Sequence, residues 1–208
     1  MSRADISDKL AHFTSPRDDW DEAYSRLQSI LAERTIRGGN AMIRSGDHCV
    51  CFTEAPLKSL PGGLVNPTNF SRYAPFGVVF DKKWIFERGG RPVIYQPESE
   101  LRGLPESHKW RHVRYEPNAA QPIDFTWERE WRIKGQALQF QPSDVVILVP
   151  TQEWRDALRR EHENEQDDWA YMYSQVLDRE IAEQYREDFP WRVSVLGVKP
   201  GVGRAQPT

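Results

Sequence analysis

Cysteine is scarce: the 208 residues hold two, one residue apart in Cys49-Val50-Cys51. On a strand both side chains would leave the same face, which is poor disulfide geometry. No second Cys/His pair at metal-ligand spacing follows, so they read as buried strand residues in a reducing compartment. His108 and His112 stand four apart, but beside a proline-containing polar segment; they would pair on a metal only if that segment were helical, and no metal is expected. Long apolar runs are missing as well. Nothing approaches the ~18 residues of a membrane span, and the opening Met-Ser-Arg-Ala-Asp has no apolar signal core. The cytoplasm is the expected location. Basic charge is not in excess: 28 Lys and Arg face 31 Asp and Glu, a net charge of -3. Composition alone therefore does not argue for a nucleic-acid partner, although a local basic groove is compatible with an acidic chain. Absent too are a Gly-x-Gly-x-x-Gly turn, a Gly-Lys-Ser/Thr phosphate loop and a Gly-x-Ser-x-Gly elbow. A dinucleotide, if bound, is not held in the Rossmann manner.

What is present fits one α+β domain over residues 1–208, long enough to bury a core. Leu10 to Thr14 read as a short strand. Ser15 and Pro16 offer an N-cap and first turn for a helix whose stripe is Trp20, Tyr24, Leu27, Ile30 and Leu31, stopped by Gly38-Gly39. Strands are predicted at 49–53, 76–80, 92–95, 112–115, 130–134 and 191–198. Residues 61–69 and 96–110 read as loops. The apolar run 144–150 predicts a central strand covered on both faces. Residues 151–190 predict a helical pair, broken by the charged stretch 161–168. Trp169, Met172, Tyr173, Val176, Leu177 and Ile181 would give the second helix a core-facing stripe. Residues 199–208 read as a flexible tail. Strands scattered among few helices suggest a mixed or antiparallel sheet rather than a doubly wound one.

Three segments could carry chemistry. His12 and Thr14, two apart on a strand, point the same way and could meet one small ligand; the alternative is an ordinary structural histidine before a helix. Glu54, in Phe52-Thr53-Glu54-Ala55-Pro56, follows a buried strand and precedes a proline. It reads equally as a loop-borne functional acid or as a helix-start acid favoured by the dipole. In Glu128-Arg129-Glu130-Trp131-Arg132, strand alternation would put Glu128, Glu130 and Arg132 on one face. That is either a surface ion-pair ladder or a reactive carboxylate accompanied by an arginine. The long polar loop before it and the flanking tryptophans favour the second.

The order His12-Phe13-Thr14, Leu27-x-x-Ile30-Leu31 and Gly38-Gly39 resembles the opening of DarT-type ADP-ribosyltransferases. The Phe-Thr-Glu and Glu-x-Glu-Trp-Arg segments resemble AbiGi-like phage-defence proteins. The likeness spans motifs over roughly residues 10–150. It implies a compact ADP-ribosyltransferase-like split β-sheet with flanking helices, and NAD as co-substrate. It also implies a toxin or anti-phage effector that modifies an RNA or DNA base and is met by a cognate antitoxin. By the same resemblance, His12 would hold the ribose next to the adenine. Phe13 would offer backbone groups to the nicotinamide amide, and Thr14 would support it. Glu130 would be the catalytic acid, with Arg132 beside it. The stacking aromatic would be Tyr73 or Tyr95, and Arg72 would meet the pyrophosphate. Asp124, Phe125, Glu128 and Glu54 would face the acceptor. The chain departs from DarT in a longer spacer after Thr14 and in Thr53-Glu54-Ala55-Pro56, which stands where an Asn-Pro-Arg would be. Competing functions are an antitoxin-like partner-binding protein without catalysis and an NAD glycohydrolase that uses water.

Overall fold

The computed structural model describes residues 6–16, 18–65 and 73–198. Among them lie eleven strands and five α-helices. The chain opens with β1 (Lys9–Phe13) and α1 (Trp20–Glu33), then β2 (Thr35–Arg37), β3 (Cys49–Thr53), β4 (Gly77–Asp81) and α2 (Lys82–Glu87). Next come β5 (Arg91–Pro92), β6 (Ile94–Gln96), α3 (Glu106–Lys109), β7 (His112–Arg114), β8 (Glu130–Lys134) and β9 (Ala137–Gln139). The last are β10 (Val145–Val149), α4 (Gln152–Ser174), α5 (Arg179–Glu183) and β11 (Val193–Val195). Seven strands form one sheet in the order β11-β10-β4-β1-β3-β8-β5, with β2-β9 and β6-β7 as separate pairs. Only β10-β11 and β6-β7 are parallel. This is the mixed sheet of an α+β protein. As the apolar run 144–150 suggests, β10 is buried along most of its length, between β4 and β11.

The first helix shows how local chemistry sets its ends. The sequence points to Ser15 as N-cap, but Asp19 takes that place. Its carboxylate accepts the Glu22 N–H at 2.8 Å, ahead of an acidic first turn. Nor do Gly38 and Gly39 end it. Arg34 does, in the left-handed region, its N–H turned back to the last turn. Gly38 answers a different need, because a Cβ there would lie 2.2 Å from the Gly135 carbonyl. The 96–110 stretch is not simply an exposed loop either. It coils through a 3-10 turn (Glu98–Gly103) and α3, and it buries Trp110 against Ile43 and Cys49.

The expected helical pair at the C-terminal end is one helix of 23 residues followed by the short α5. The stretch 161–168 holds no glycine or proline, and its Glu, Gln and Asp side chains reach solvent without breaking backbone hydrogen bonds. The first half of α4 packs down. Trp154 meets Tyr24 and Phe76 at ring-centroid distances of 4.7 and 4.9 Å, inside a cluster that Trp20 joins. Burying each such side chain contributes roughly 1.5–3 kcal/mol. The second half does not follow it. Trp169, Met172, Val176, Leu177 and Ile181, which periodicity assigns to the core, are exposed. Of the anticipated last strand, only Val193–Val195 pairs with β10, and the tail 199–208 lies outside the described residues.

Between β1 and β3 the sheet barely holds. Their registered pairing is Ala11 with Thr53 alone, whereas β1 and β4 pair from Lys9 to Phe13 and β3 and β8 pair from Cys49 to Thr53. The sheet is thus two ladders, β11-β10-β4-β1 and β3-β8-β5, touching at one point. Thr14 donates its N–H to the Phe76 carbonyl at 2.8 Å and accepts from Ala74 at 2.9 Å, so its backbone faces the β4 side. Strand alternation turns the Phe13 N–H and C=O the other way, towards β3, where pairing has ended. The β1-β4 contact is close: a Cβ at Gly77 would stand 2.2 Å from the His12 carbonyl, whereas nothing lies within 4 Å of one at Gly39. Gly77→Ala is therefore expected to cost about 1–3 kcal/mol through backbone displacement, and Gly39→Ala less than about 0.5 kcal/mol. Denaturant unfolding of the two variants checks both.

Candidate functional site

The site grows from the β3-β8 register. Thr53 pairs with Glu130 and Cys51 with Arg132, so these four side chains share one face. Phe52, Glu54 and Trp131 fall on the other. Glu130 and Arg132 form a two-pronged ion pair: Nε reaches Oε1 at 2.8 Å and Nη2 reaches Oε2 at 3.2 Å. The remaining arginine nitrogen, Nη1, donates to the carbonyls of Trp110 (2.8 Å) and His112 (3.1 Å). Arg132 is buried. Burial works against its charge, but attraction and hydrogen bonding from Glu130 outweigh it and hold its pKa above the ordinary value. Tyr95 adds a further anchor, its hydroxyl accepting the Glu130 backbone N–H at 2.9 Å. Burial foremost pushes that phenol up to about 12. Glu130 is thereby fixed by Arg132 at its carboxylate and by Tyr95 at its backbone, with 13% of its side chain exposed.

On the other ladder, the His12 ring sits with its Nδ1 2.8 Å from the Cys51 carbonyl. Burial lowers its pKa, opposed in part by that hydrogen bond. The neutral ring then donates from Nδ1 and leaves Nε2 as an acceptor. Thr14 is buried and donates its hydroxyl to the Phe76 carbonyl at 3.2 Å. Both residues, with Phe13, Tyr73, Glu128 and Glu130, line a cavity of about 560 Å³ over the gap between the ladders. A second cavity, of about 710 Å³, adjoins it. The two share Ala41, Met42, Ile43, Cys51, Glu128 and Glu130. Each is within the ~300–1,000 Å³ typical of ligand sites. Glu130 therefore stands where they meet.

The second cavity takes Phe125 and Trp127 from the turn before β8, both nearly half exposed, and Arg44 and Arg114 from its rim. That turn is local chemistry. The Asp124 carboxylate accepts the Thr126 N–H (2.8 Å) and hydroxyl (2.6 Å), which holds its pKa low. A 3-10 turn (Thr126–Glu128) follows, and Arg129 at φ 45 reverses the chain, so the strand starts at Glu130. Glu128 is thus not a member of a strand ladder, as alternation suggests, but it reaches both cavities from the turn.

Other expected residues fall elsewhere. Glu54 lies across the sheet from Glu130, where one oxygen accepts from Lys82 (2.6 Å) and the other from the Trp131 indole (2.7 Å). Both its oxygens are engaged in holding α2 against β8. Tyr95 stands behind Glu130 and outside both cavity linings, whereas Tyr73 lines the first. Arg72 lies outside the described residues. Sequence reasoning passes over Arg26 and Arg37, which line the first cavity while pairing with Glu22 and Glu33 of α1. Arg26 stands one helical turn from Ile30 on α1, the one clue in the sequence. His112, weighed in the sequence only as a metal partner of His108, stands on β7 while His108 is on α3; it lines the second cavity buried, its Nδ1 without a hydrogen-bond partner among the described residues. Cysteine nucleophiles do not fit here: burial pushes both thiols up, Cys49 to about 11. Among the described residues, no three His, Cys, Asp or Glu side chains gather as metal ligands. Comparisons with known protein families, curated proteins and solved structures gave no match.

Two stability effects follow. Arg132→Met strands a largely buried carboxylate and two carbonyls, and is expected to cost about 3–5 kcal/mol in chemical denaturation. His12 binds its proton more weakly folded than unfolded, so native stability declines as pH falls below about 6.5. His12→Gln is expected to remove that component. The difference in unfolding midpoint between variant and wild type, followed from pH 8 to 5, checks it.

Proposed function

We propose that this chain is an NAD-consuming ADP-ribosyltransferase that modifies a nucleic-acid base. The observation that carries this reading is a carboxylate, Glu130, clamped by Arg132 at the meeting point of two cavities. One cavity opens at the gap in the sheet and the other is lined by exposed aromatics. The fold reading that goes with it is the split sheet of ADP-ribosyltransferases, with the two ladders as its halves. The resemblance of His12-Phe13-Thr14 to the DarT opening supports the same conclusion.

In this reading NAD lies over the gap. The Phe13 N–H and C=O, without a ladder partner among the described residues, complement a carboxamide, which needs one donor and one acceptor. The His12 Nε2 accepts a ribose hydroxyl, Tyr73 covers the flat nicotinamide, and Arg26 and Arg37 face the pyrophosphate. The bond between nicotinamide nitrogen and ribose C1′ breaks with both electrons leaving on nicotinamide, so positive charge develops on the ribose. Glu130 stabilises that charge from a fixed position, its orientation set in advance by Arg132 and the Tyr95 hydroxyl. A base from the second cavity, sandwiched at Phe125 and Trp127, attacks C1′, and its proton passes to Glu130. Asp124 shapes that loop through its turn. A chain with this activity is a toxin or anti-phage effector of the cytoplasm, and it requires a neutralising partner in the cell that makes it.

Wild type and Glu130→Gln, incubated with NAD labelled in the adenylate half, test the reading. Single-stranded DNA and RNA are supplied in separate reactions. Wild type is expected to release nicotinamide and label one nucleic acid, and the variant to lose about 10²-fold or more of the rate with NAD affinity little changed. Nicotinamide release without label transfer would assign water as the acceptor. No NAD binding or consumption by wild type would overturn the proposal.

A further inference from the structure

The exposed end of the C-terminal helices calls for an explanation the transferase reading does not supply. Trp169, Met172 and Tyr173 recur at helical spacing on α4 and Val176 follows in the turn after it; Val176 is 79% exposed and Met172 56%. Single exposed apolar residues need no cause, but a continuous stripe beside a cavity does. The stripe borders a cavity of about 450 Å³ between α1, α4 and the chain before β11, lined by Glu161, Glu165, Trp169, Tyr173, Tyr185 and Phe189. Three of those rings form a row: Trp169 to Tyr173 at 5.9 Å and Tyr173 to Tyr185 at 5.2 Å. Glu161 is held by the Tyr24 hydroxyl and the Gln28 amide, at 2.7 and 2.6 Å. Glu165 continues the same helical row one turn before Trp169.

The surrounding charge selects an occupant. Residues 161–188 contain ten Asp and Glu against two arginines, a net charge of -8 within a chain of -3, so the remainder carries +5. Three of those carboxylates, Glu161, Glu165 and Glu187, line the cavity against one arginine, Arg34, so nucleic acid and anionic lipid are repelled there. A second copy docking by the same face would set -8 against -8. Carboxylates beside an aromatic row instead match a ligand with apolar groups on one side and ammonium or guanidinium groups along its edge. Within this protein Arg159 already stands 5.3 Å over the Phe189 ring. We propose that this groove docks a basic amphipathic helix of a partner protein, with a Lys or Arg of that helix set over the Trp169-Tyr173-Tyr185 row and paired with Glu165. The inference stands apart from the NAD site and holds whether or not the chain is a transferase.

A fluorescein-labelled peptide of about 18 residues, five helical turns, with Lys and Leu at amphipathic spacing is the probe. A peptide with Glu in place of Lys is its counterpart. Binding is read by anisotropy at about 0.15 M salt, where weak surface attraction is screened. Wild type is expected to bind the Lys/Leu peptide saturably at one site and not the Glu/Leu peptide. Glu165→Lys, and the pair Trp169→Ala with Tyr173→Ala, are each expected to weaken binding about tenfold or more. Glu106→Lys, the same charge change at a remote and exposed position, is expected to leave affinity within about twofold. Circular dichroism checks that each variant is folded. The proposal is overturned if neither peptide binds, if both bind alike, or if Glu106→Lys weakens binding as much as Glu165→Lys. It is overturned too if sedimentation shows a wild-type dimer that the aromatic double variant abolishes, since the groove would then belong to a second copy.

Discussion

One hydrogen bond decides how the sheet is divided. In a continuous antiparallel ladder, the pair after Ala11 and Thr53 would be Phe13 and Cys51. The Cys51 carbonyl instead accepts from the His12 ring. A side chain thus takes the acceptor that a backbone N–H would need, and the strands part. The opening leaves Phe13 with backbone groups directed into a cavity, where a ligand can complete them. Closing that gap with two further ladder bonds would give a firmer sheet and no site.

The second ladder supports the opening through Arg132. Four hydrogen bonds from its guanidinium are divided between the Glu130 carboxylate and two carbonyls of the segment around β7. Such an ion pair adds little net stability, because desolvation offsets most of the attraction. What it supplies is position. The carboxylate cannot turn away from the cavities without breaking two bonds in a buried setting. Trp110, packed on Ile43 and Cys49, fixes one of the accepting carbonyls. A stretch that reads as a polar loop is in this way part of the scaffold behind the site.

The two ends of the molecule carry opposite solutions for aromatic residues. Phe76 and Trp154 meet face to edge, Tyr24 meets both at a tilt, and the three hold the first half of α4 to the sheet. Trp169 stacks on Tyr173, which meets Tyr185 at a tilt, and Trp169 and Tyr185 stay exposed. The same residue types thus serve burial at one end and an open, acid-rimmed row at the other. That separation keeps the two cavities around Glu130 on the more basic part of the chain, away from the acidic helices.

Much was legible in the residues themselves. The strand at 49–53, the apolar run of β10 and the stripe of α1 are periodic signals that local burial obeys, and many strand signals among few helical ones place the chain in the α+β class. Pairing Glu130 with Arg132 needs only strand alternation, because the two are separated by one residue. Tertiary structure decided the rest, wherever a partner distant in sequence competes for a group. Asp19 outdid Ser15 as cap because its carboxylate reaches Glu22. Glu54 was taken by Lys82 and Trp131, a contact that depends on which face of β3 meets α2. The stripe of Trp169 to Ile181 is as periodic as that of α1, yet one is buried and the other open. Periodicity says that a face is apolar; only the assembled fold determines whether this chain itself covers it.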